Sequence, residues 1–394
     1  MTFLLHLPTA AFQIAITLRN LVAVGYRLPL GGAGTGLSWK VMGIVMKKIV
    51  LLATALAMVS GSALAADMAV KAVKAPPPPA FEPWDIAFGS AIMNDYVFRG
   101  ITQSNHKASV AAYFEPRYNI NKDTQLYVGL SGESISFPNR AAAEIDIYGG
   151  IRPTIGMFAF DFGAWGYLYP GGTCYNAAAI PGSGIPGSDA SCAVSPFGNS
   201  DPVTGGLPIN GNFAKKNASF YEVYGKVNIT LNDQFAVGFN EYYSPNFLNL
   251  GAWGNYASIT GKWTAPSTTF GSSGVGMYIS GEFGRQWLGT SDSFYGAAQL
   301  PGGPNYTQGI PEPSYNTWNI GLGFTYKVFT LDLRYSDTNL SKGACNAFTS
   351  DYTAKVSTAA SVSAINPGGF ESNWCGATGI VKLSADLTAI TNLK

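Results

Sequence analysis

The chain has 394 residues, 24 basic and 23 acidic side chains, 12% charged and 13% aromatic residues, 47 glycines and a mean hydropathy of +0.11. A charged share about half the ~25% of soluble domains, at near-neutral balance, excludes a protein that works by basic surplus, such as a nucleic-acid binder. No apolar run of about 20 residues lies beyond residue 70, which excludes a bundle of spanning helices, so this rather hydrophobic chain reads as a membrane barrel.

Residues 1–45 carry Arg19, Arg27 and Lys40 and no acid. Behind them, from Met46, comes MKKIVLLATALAMVSGSALAAD, with basic Lys47 and Lys48, an apolar stretch from Ile49 to Val59, and Ala63-Leu64-Ala65 as a small-residue cleavage site. These are the parts of a Sec-type signal peptide over 46–65. Such a signal belongs at an N-terminus, so translation is expected to begin at Met46, with 1–45 an upstream extension from a start codon chosen too early. GGAGTG at 31–36 lacks the following Lys and the strand–helix context of a phosphate loop. Without residues 1–65, 19 bases face 23 acids, which again leaves no surplus for nucleic acid. Residues 66–84, with Pro76 to Pro79, read as an extended periplasmic tether.

From 85 to 394 the pattern is strands. Expected spans are 85–103, 107–119, 124–136, 143–154, 157–169, 218–231, 234–244, 253–264, 274–287, 315–327, 328–338 and 377–389. Tight turns fall at Asn121-Lys122-Asp123, Gly156, Asn232-Asp233 and Lys327-Val328, and a modest one follows the eighth strand. Long Gly, Pro, Asn and Ser-rich connections occupy 170–217, 288–314 and 339–376. Short and long connections alternate, as periplasmic turns and extracellular loops do in an outer-membrane barrel, and an even strand count returns both ends to one side. The fold class is therefore all-β, a transmembrane antiparallel up-and-down barrel of about 12 strands.

Within strands, residues alternate between two unlike faces. In FTLDLRYSDT (329–338), Phe329, Leu331, Leu333 and Tyr335 oppose Thr330, Asp332, Arg334 and Ser336. Successive side chains point to opposite faces of a sheet. In AEIDIYGGIRP and YEVYGKVNITL the same alternation sets isoleucines and valines against Glu144, Asp146, Arg152, Glu222 and Lys226. If the apolar face meets lipid, the other lines the lumen. Parity then gives Asp95, Arg99, Glu115, Arg117, Asp146, Arg152, Glu222, Lys226, Glu282, Asp332 and Arg334 as lumen-facing candidates, with Glu144 beside Asp146 and Lys382 near Asp386. Trp165, Tyr167, Tyr169, Tyr242, Tyr243, Trp253 and Trp287 suit aromatic girdles near the strand ends.

Four cysteines behind an export signal suggest disulfides, and four allow three pairings. Cys174 with Cys192 and Cys345 with Cys375 each fall inside one long connection. His106 is the one histidine behind the signal, and no orienting partner accompanies its neighbour Ser104, so no catalytic residue is expected. Metal-ligand spacing is also missing, so neither a metal nor a cofactor is expected.

NDYVFRGITQ at 94–103 resembles the opening signature of the TorF family of outer-membrane porins. The likeness continues through EIDIYGG (144–150), FGAWGYLYP (162–170), FYEVYG (220–225), YYSPN (242–246), EFGR (282–285), YNTWNIGLGF (315–324) and LDLRYSDT (331–338). The resemblance implies a Gram-negative outer-membrane location, with membrane lipid and the barrel-assembly machinery as partners. Together with the charged lumen it implies a passive channel for small polar solutes or ions. The alternative is a non-conducting structural or surface-recognition barrel acting through its loops.

Overall fold

A computed structural model describes residues 81–172, 176–177, 199–200, 214–297, 299–354 and 356–393. The upstream extension, the signal, most of the tether, Cys174 with Cys192 and most of the 170–217 connection lie outside the described residues.

Twelve strands close into an antiparallel barrel: β1 (Trp84–Met93), β4 (Ser109–Asn121), β5 (Thr124–Glu133), β6 (Glu144–Ile155), β7 (Phe158–Leu168), β10 (Phe220–Thr230), β11 (Phe235–Ser244), β12 (Gly254–Thr264), β13 (Val275–Leu288), β14 (Tyr315–Tyr326), β15 (Phe329–Thr338) and β16 (Thr378–Thr388). Each pairs with its neighbours along the chain, and the seam joins β1 to β16 from Ala87 opposite Thr388 to Met93 opposite Lys382. Two short ribbons are separate from the barrel sheet: β2 (Val97–Phe98) with β3 (Ile101–Thr102), and β8 (Asn176–Ala177) with β9 (Asn199–Ser200). Short turns gather at one rim, the turn rim, and long connections at the other, the loop rim.

The wall is an inside-out protein. Ile147, Ile259, Ile320 and Val381 are 51–61% exposed on its outer face, whereas Glu222, Glu144, Asp146, Glu115 and Asp332 are 0–4% exposed within. Leaving so many large apolar side chains in water would cost roughly 1.5–3 kcal/mol each, so this girdle demands lipid. Toward the loop rim the outer face turns polar, where Arg285 donates to Asn316 at 2.9 Å and the Tyr335 hydroxyl to Asp337 at 2.7 Å.

Inside, tyrosine rings lie flat over glycines of the adjoining strand. A Cβ on Gly323 would meet the Tyr278 ring at 2.0 Å, and one on Gly129 the Tyr148 ring at 2.2 Å. Glycine thus lets the ring cover the backbone, the way aromatic residues compensate for strand glycines elsewhere.

The apolar core sits at the loop rim rather than between the strands. Ile101, Phe137, Tyr169, Phe220, Phe247, Leu250, Phe348 and Trp374 form one cluster there. Over it lies the 339–377 connection, which contains helix α1 (Lys342–Thr349), capped by Ser341 accepting from the Ala344 N–H at 3.2 Å. The expected Cys345–Cys375 disulfide ties this connection together. At the turn rim the short helix α2 (Ala389–Asn392) follows β16, and its Ile390 N–H donates to Asp85 on β1 at 3.0 Å.

The first strand corrects the expectation of a strand over 85–103. It ends at Met93, and the next residues form the β2–β3 hairpin, turning at Arg99 (φ 47°) and Gly100 (φ 78°). Two successive positive φ angles make the tight turn whose twist suits a two-residue hairpin. Gly100 is needed there, since a Cβ would meet the Thr317 hydroxyl at 2.7 Å. Trp165, Tyr167 and Tyr242, expected in a girdle, lie on the inward parity of β7 and β11, and Tyr169 is buried at the loop rim; Tyr243, Trp253 and Trp287 face out, 37–44% exposed.

Candidate functional site: the lumen and its plug

The hairpin carries Arg99 into the lumen. Its guanidinium grips Glu222 of β10 with two bonds of 2.8 and 2.7 Å and donates to Gln286 of β13 at 2.9 Å. Tyr256, Phe98 and Tyr242 present their rings to it at 4.3, 4.6 and 5.0 Å, and the Tyr167 hydroxyl donates to Glu222 at 3.1 Å. The Arg99 side chain is 6% exposed and that of Glu222 0%. A planar fork matched to a carboxylate and stacked on aromatic rings is the interaction that arginine makes best. One side chain of the first loop, which follows β1, therefore reaches across the lumen to tie β10 to β13, three strands apart in the wall, beneath the apolar cluster.

Below it the lumen is polar. Arg334 donates twice to Asp332 at 3.0 Å, to Asn319 at 2.5 Å and to Ser280 at 2.9 Å, and Tyr278 adds a bond to Asp332 at 2.7 Å. Glu282 accepts from Tyr256 at 2.9 Å. Between this group and the hairpin lies a cavity of about 290 Å³, walled by Arg99, Tyr242, Tyr256, Glu282, Asn319 and Arg334. Nearer the turn rim, Arg152 binds Glu115 at 2.8 Å and Asp161 at 3.4 Å, Arg117 binds Glu115 at 2.6 Å, and Lys226 stands 3.9 Å from Asp161. A wider vestibule of about 610 Å³ opens between Tyr113, Arg117, Lys327 and Asp386.

All the strand-borne lumen candidates, Glu115, Arg117, Asp146, Arg152, Glu222, Lys226, Glu282, Asp332 and Arg334, have inward parity. Arg99 reaches the lumen from the hairpin rather than from a strand. Asp95 lies just beyond β1, buried beneath the first loop. Residues adjacent by parity are not always partners: Arg152 turns to Glu115 and Asp161 rather than to Glu144, and Glu222 is held by Arg99 rather than by Lys226. Sequence reading missed Gln286 and the inner tyrosines; the tyrosine–glycine spacing of neighbouring strands was the available signal.

Asp95 and His106 fasten the first loop. Asp95 accepts from Thr102 at 2.5 Å, from Ser104 at 3.1 Å and from Thr378 of β16 at 3.2 Å, and meets His106 Nδ1 at 2.7 Å. The other imidazole nitrogen lies 2.8 Å from the Asn373 carbonyl, beside the disulfide. The bond to Asp95 raises the His106 pKa above its usual value against the pull of burial. For Asp95, burial pushes upward, but His106 and the two hydroxyls outweigh it and hold the carboxyl below its usual value. Both ring nitrogens are thus engaged in joining two loops. Among the described residues, Glu133, Glu144 and Asp146 form the one grouping of metal-ligand type, brought together across a loop that hides it in the sequence.

The family model described as a bacterial protein of unknown function (Gcw_chp) matches residues 79–180. No curated protein sequence matches the chain. Among solved structures, the chain is similar to an outer membrane channel from Pseudomonas putida F1 (9% identity, 81% of this chain and 100% of that one, TM-score 0.36). It is similar to a Pseudomonas aeruginosa FadL homologue (13% identity, 77% and 89%, TM-score 0.33) and to LpxR from Salmonella typhimurium (9% identity, 76% and 99%, TM-score 0.32).

Proposed function

We propose that this is a bacterial outer-membrane channel for small polar solutes or ions, held closed at its loop rim by the Arg99 hairpin. The observation that carries the reading is the division of the lumen. A loop, the β2–β3 hairpin, enters its upper part, whereas the wall beneath is lined by charges of both signs around cavities of about 290 and 610 Å³. A barrel of twelve strands lies between the eight that side chains fill and the sixteen to eighteen that leave an open pore, so a loop plug suffices to decide its state. Mixed signs suit weak selectivity. The apolar girdle and the resemblance to TorF porins support the outer-membrane location, and the barrel-assembly machinery would insert it. The reading is non-enzymatic, since His106 has both nitrogens engaged with Asp95 and a backbone carbonyl.

The test is planar-bilayer recording of the barrel purified from cells expressing the full chain. Brief, small steps from the wild type, and longer, larger ones from a variant with residues 97–102 replaced by a short Gly-Ser turn, are expected. Silence from both, with folding verified by heat-dependent gel mobility, would sink the channel. It would favour a surface-recognition barrel working through the disulfide-tied cap.

A further inference from the structure

Where β5 ends and β6 begins, Glu133, Glu144 and Asp146 each offer an oxygen within 4.8 Å of the other two. The register sets Glu133 directly opposite Glu144 and Ser131 opposite Asp146, all on the inward face. Like charges directly opposite destabilise a sheet, and here water does not screen them, for Glu144 is 2% and Asp146 4% exposed. Both Glu144 oxygens are engaged, by the Tyr96 hydroxyl at 2.7 Å and the Tyr169 hydroxyl at 2.9 Å. The others are not so served. Asp146 Oδ2 has a 3.3 Å bond from Ser131, while Asp146 Oδ1 and Glu133 Oε2 are buried without a hydrogen bond, although the Trp165 indole N–H, itself unbonded, lies near Asp146. Among the described residues, no Lys or Arg forms an ion pair with any of the three.

We infer that these three carboxylates form a divalent-cation site of the Ca²⁺ class. A buried, unpartnered oxygen on Asp146 and another on Glu133 are what a cation would satisfy, and it would offset the repulsion between facing acids. The donors are all oxygen, which suits a hard cation over zinc or copper. Oxygens held about 2.3–2.6 Å from Ca²⁺ can stand up to ~5 Å apart, so oxygens no more than 4.8 Å from one another are within reach of one such ion, whereas Mg²⁺ demands near-ideal octahedral geometry at about 2.0–2.1 Å, which carboxylates fixed by strand register are less free to supply. Glu133, at the loop-rim end of β5, is the most exposed of the three. The site also touches the plug. Tyr96, which holds Glu144, directly precedes the Val97–Thr102 hairpin, so a bound cation fixes the base from which Arg99 enters the lumen.

The experiment titrates Tb³⁺, an oxygen-seeking stand-in for Ca²⁺, into the detergent-solubilised barrel and reads emission sensitised by tryptophan, with calorimetry of Ca²⁺ itself as a second measurement. Trp165, inward on β7 and stacked on Tyr148 at 3.9 Å, is the nearby antenna. Saturable binding in roughly the 10⁻⁵–10⁻³ M range is expected, with Ca²⁺ displacing Tb³⁺ at least tenfold better than Mg²⁺ does. Asp146→Asn is expected to weaken binding at least tenfold, and Asp386→Asn, an inward acid near the turn rim, to leave it unchanged. Glu133→Gln replaces Asp146→Asn if the latter does not fold. No saturable Ca²⁺ heat and no Tb³⁺ emission from the folded wild type would overturn the site, as would equal loss in Asp386→Asn or displacement by Mg²⁺ as effective as by Ca²⁺.

Discussion

The two halves of the lumen use the same chemical pair to opposite ends. At the loop rim, Arg99 and Glu222 are sealed among aromatic rings, 6% and 0% exposed. At the turn rim, Arg117, Lys226 and Arg152 are 23–31% exposed around Glu115 and Asp161, next to a vestibule. Out of water, a bidentate Arg–carboxylate pair holds its geometry and punishes loss of either partner; in water it is screened and exchangeable. The difference teaches that solvent exposure, more than residue type, separates a plug from a pore lining.

The comparison breaks most sharply at Arg99. Arg99→Ala leaves Glu222 buried without its cation, and a loss of about 3–5 kcal/mol is expected together with an increase in conductance. Adding Glu222→Gln should restore most of the stability while the barrel stays open. Equal melting temperatures and traces for all three proteins would erase the distinction between the halves.

Second in size is the cap. Cys375→Ser is expected to cost roughly 2–4 kcal/mol in the chain-entropy account and to confine the damage to the 339–377 connection. Limited proteolysis with mass spectrometry reads this directly: cuts should appear within that connection and spare the strands.

In the wetter half, Arg152→Gln should lower stability by about 1–2 kcal/mol, because Glu115, though buried, keeps Arg117 at 2.6 Å. It should nonetheless shift the reversal potential under a salt gradient toward cation preference, because Glu115 and Asp161 lose a counter-charge. A potential identical to the wild type's would remove Arg152 from the conducting path.

The smallest effect concerns pH. With the His106 pKa raised, its contact contributes fully below the ordinary histidine value of about 6.5 and fades as pH rises through the raised value. The Asp95 value is lowered, so its share persists above the ordinary carboxylate range and is lost only as acid reaches the lowered value. Amide protection factors over residues 96–107, with the intrinsic rise of exchange with pH divided out, should therefore fall from about pH 6.5 upward, and His106→Gln should flatten that dependence.

The wall was legible in the sequence because its two faces differ so strongly. Leu331 and Leu333 against Asp332 and Arg334 declare a strand and an orientation without any knowledge of neighbours. The plug was not, for two reasons. Alternation runs on through Val97-Phe98, and an arginine at φ 47° is no common turn signal, so the hairpin read as more strand. Partners across the lumen depend on register and on the loop's path, which period-two patterning does not encode. Arg99 meets Glu222 from 123 positions away, and Glu133 meets Glu144 only because the intervening connection folds them face to face.

The seam between β1 and β16 has a consequence for biogenesis. It unites residues nearly three hundred positions apart, so until Thr378–Thr388 arrives, eleven strands form an open ribbon with two unpaired edges and a sticky apolar back. Such an intermediate is an aggregation template, and its long-range closure is intrinsically slow. The final strand thus acts as a checkpoint: chains interrupted before it should be held by chaperones or degraded, never inserted as smaller barrels.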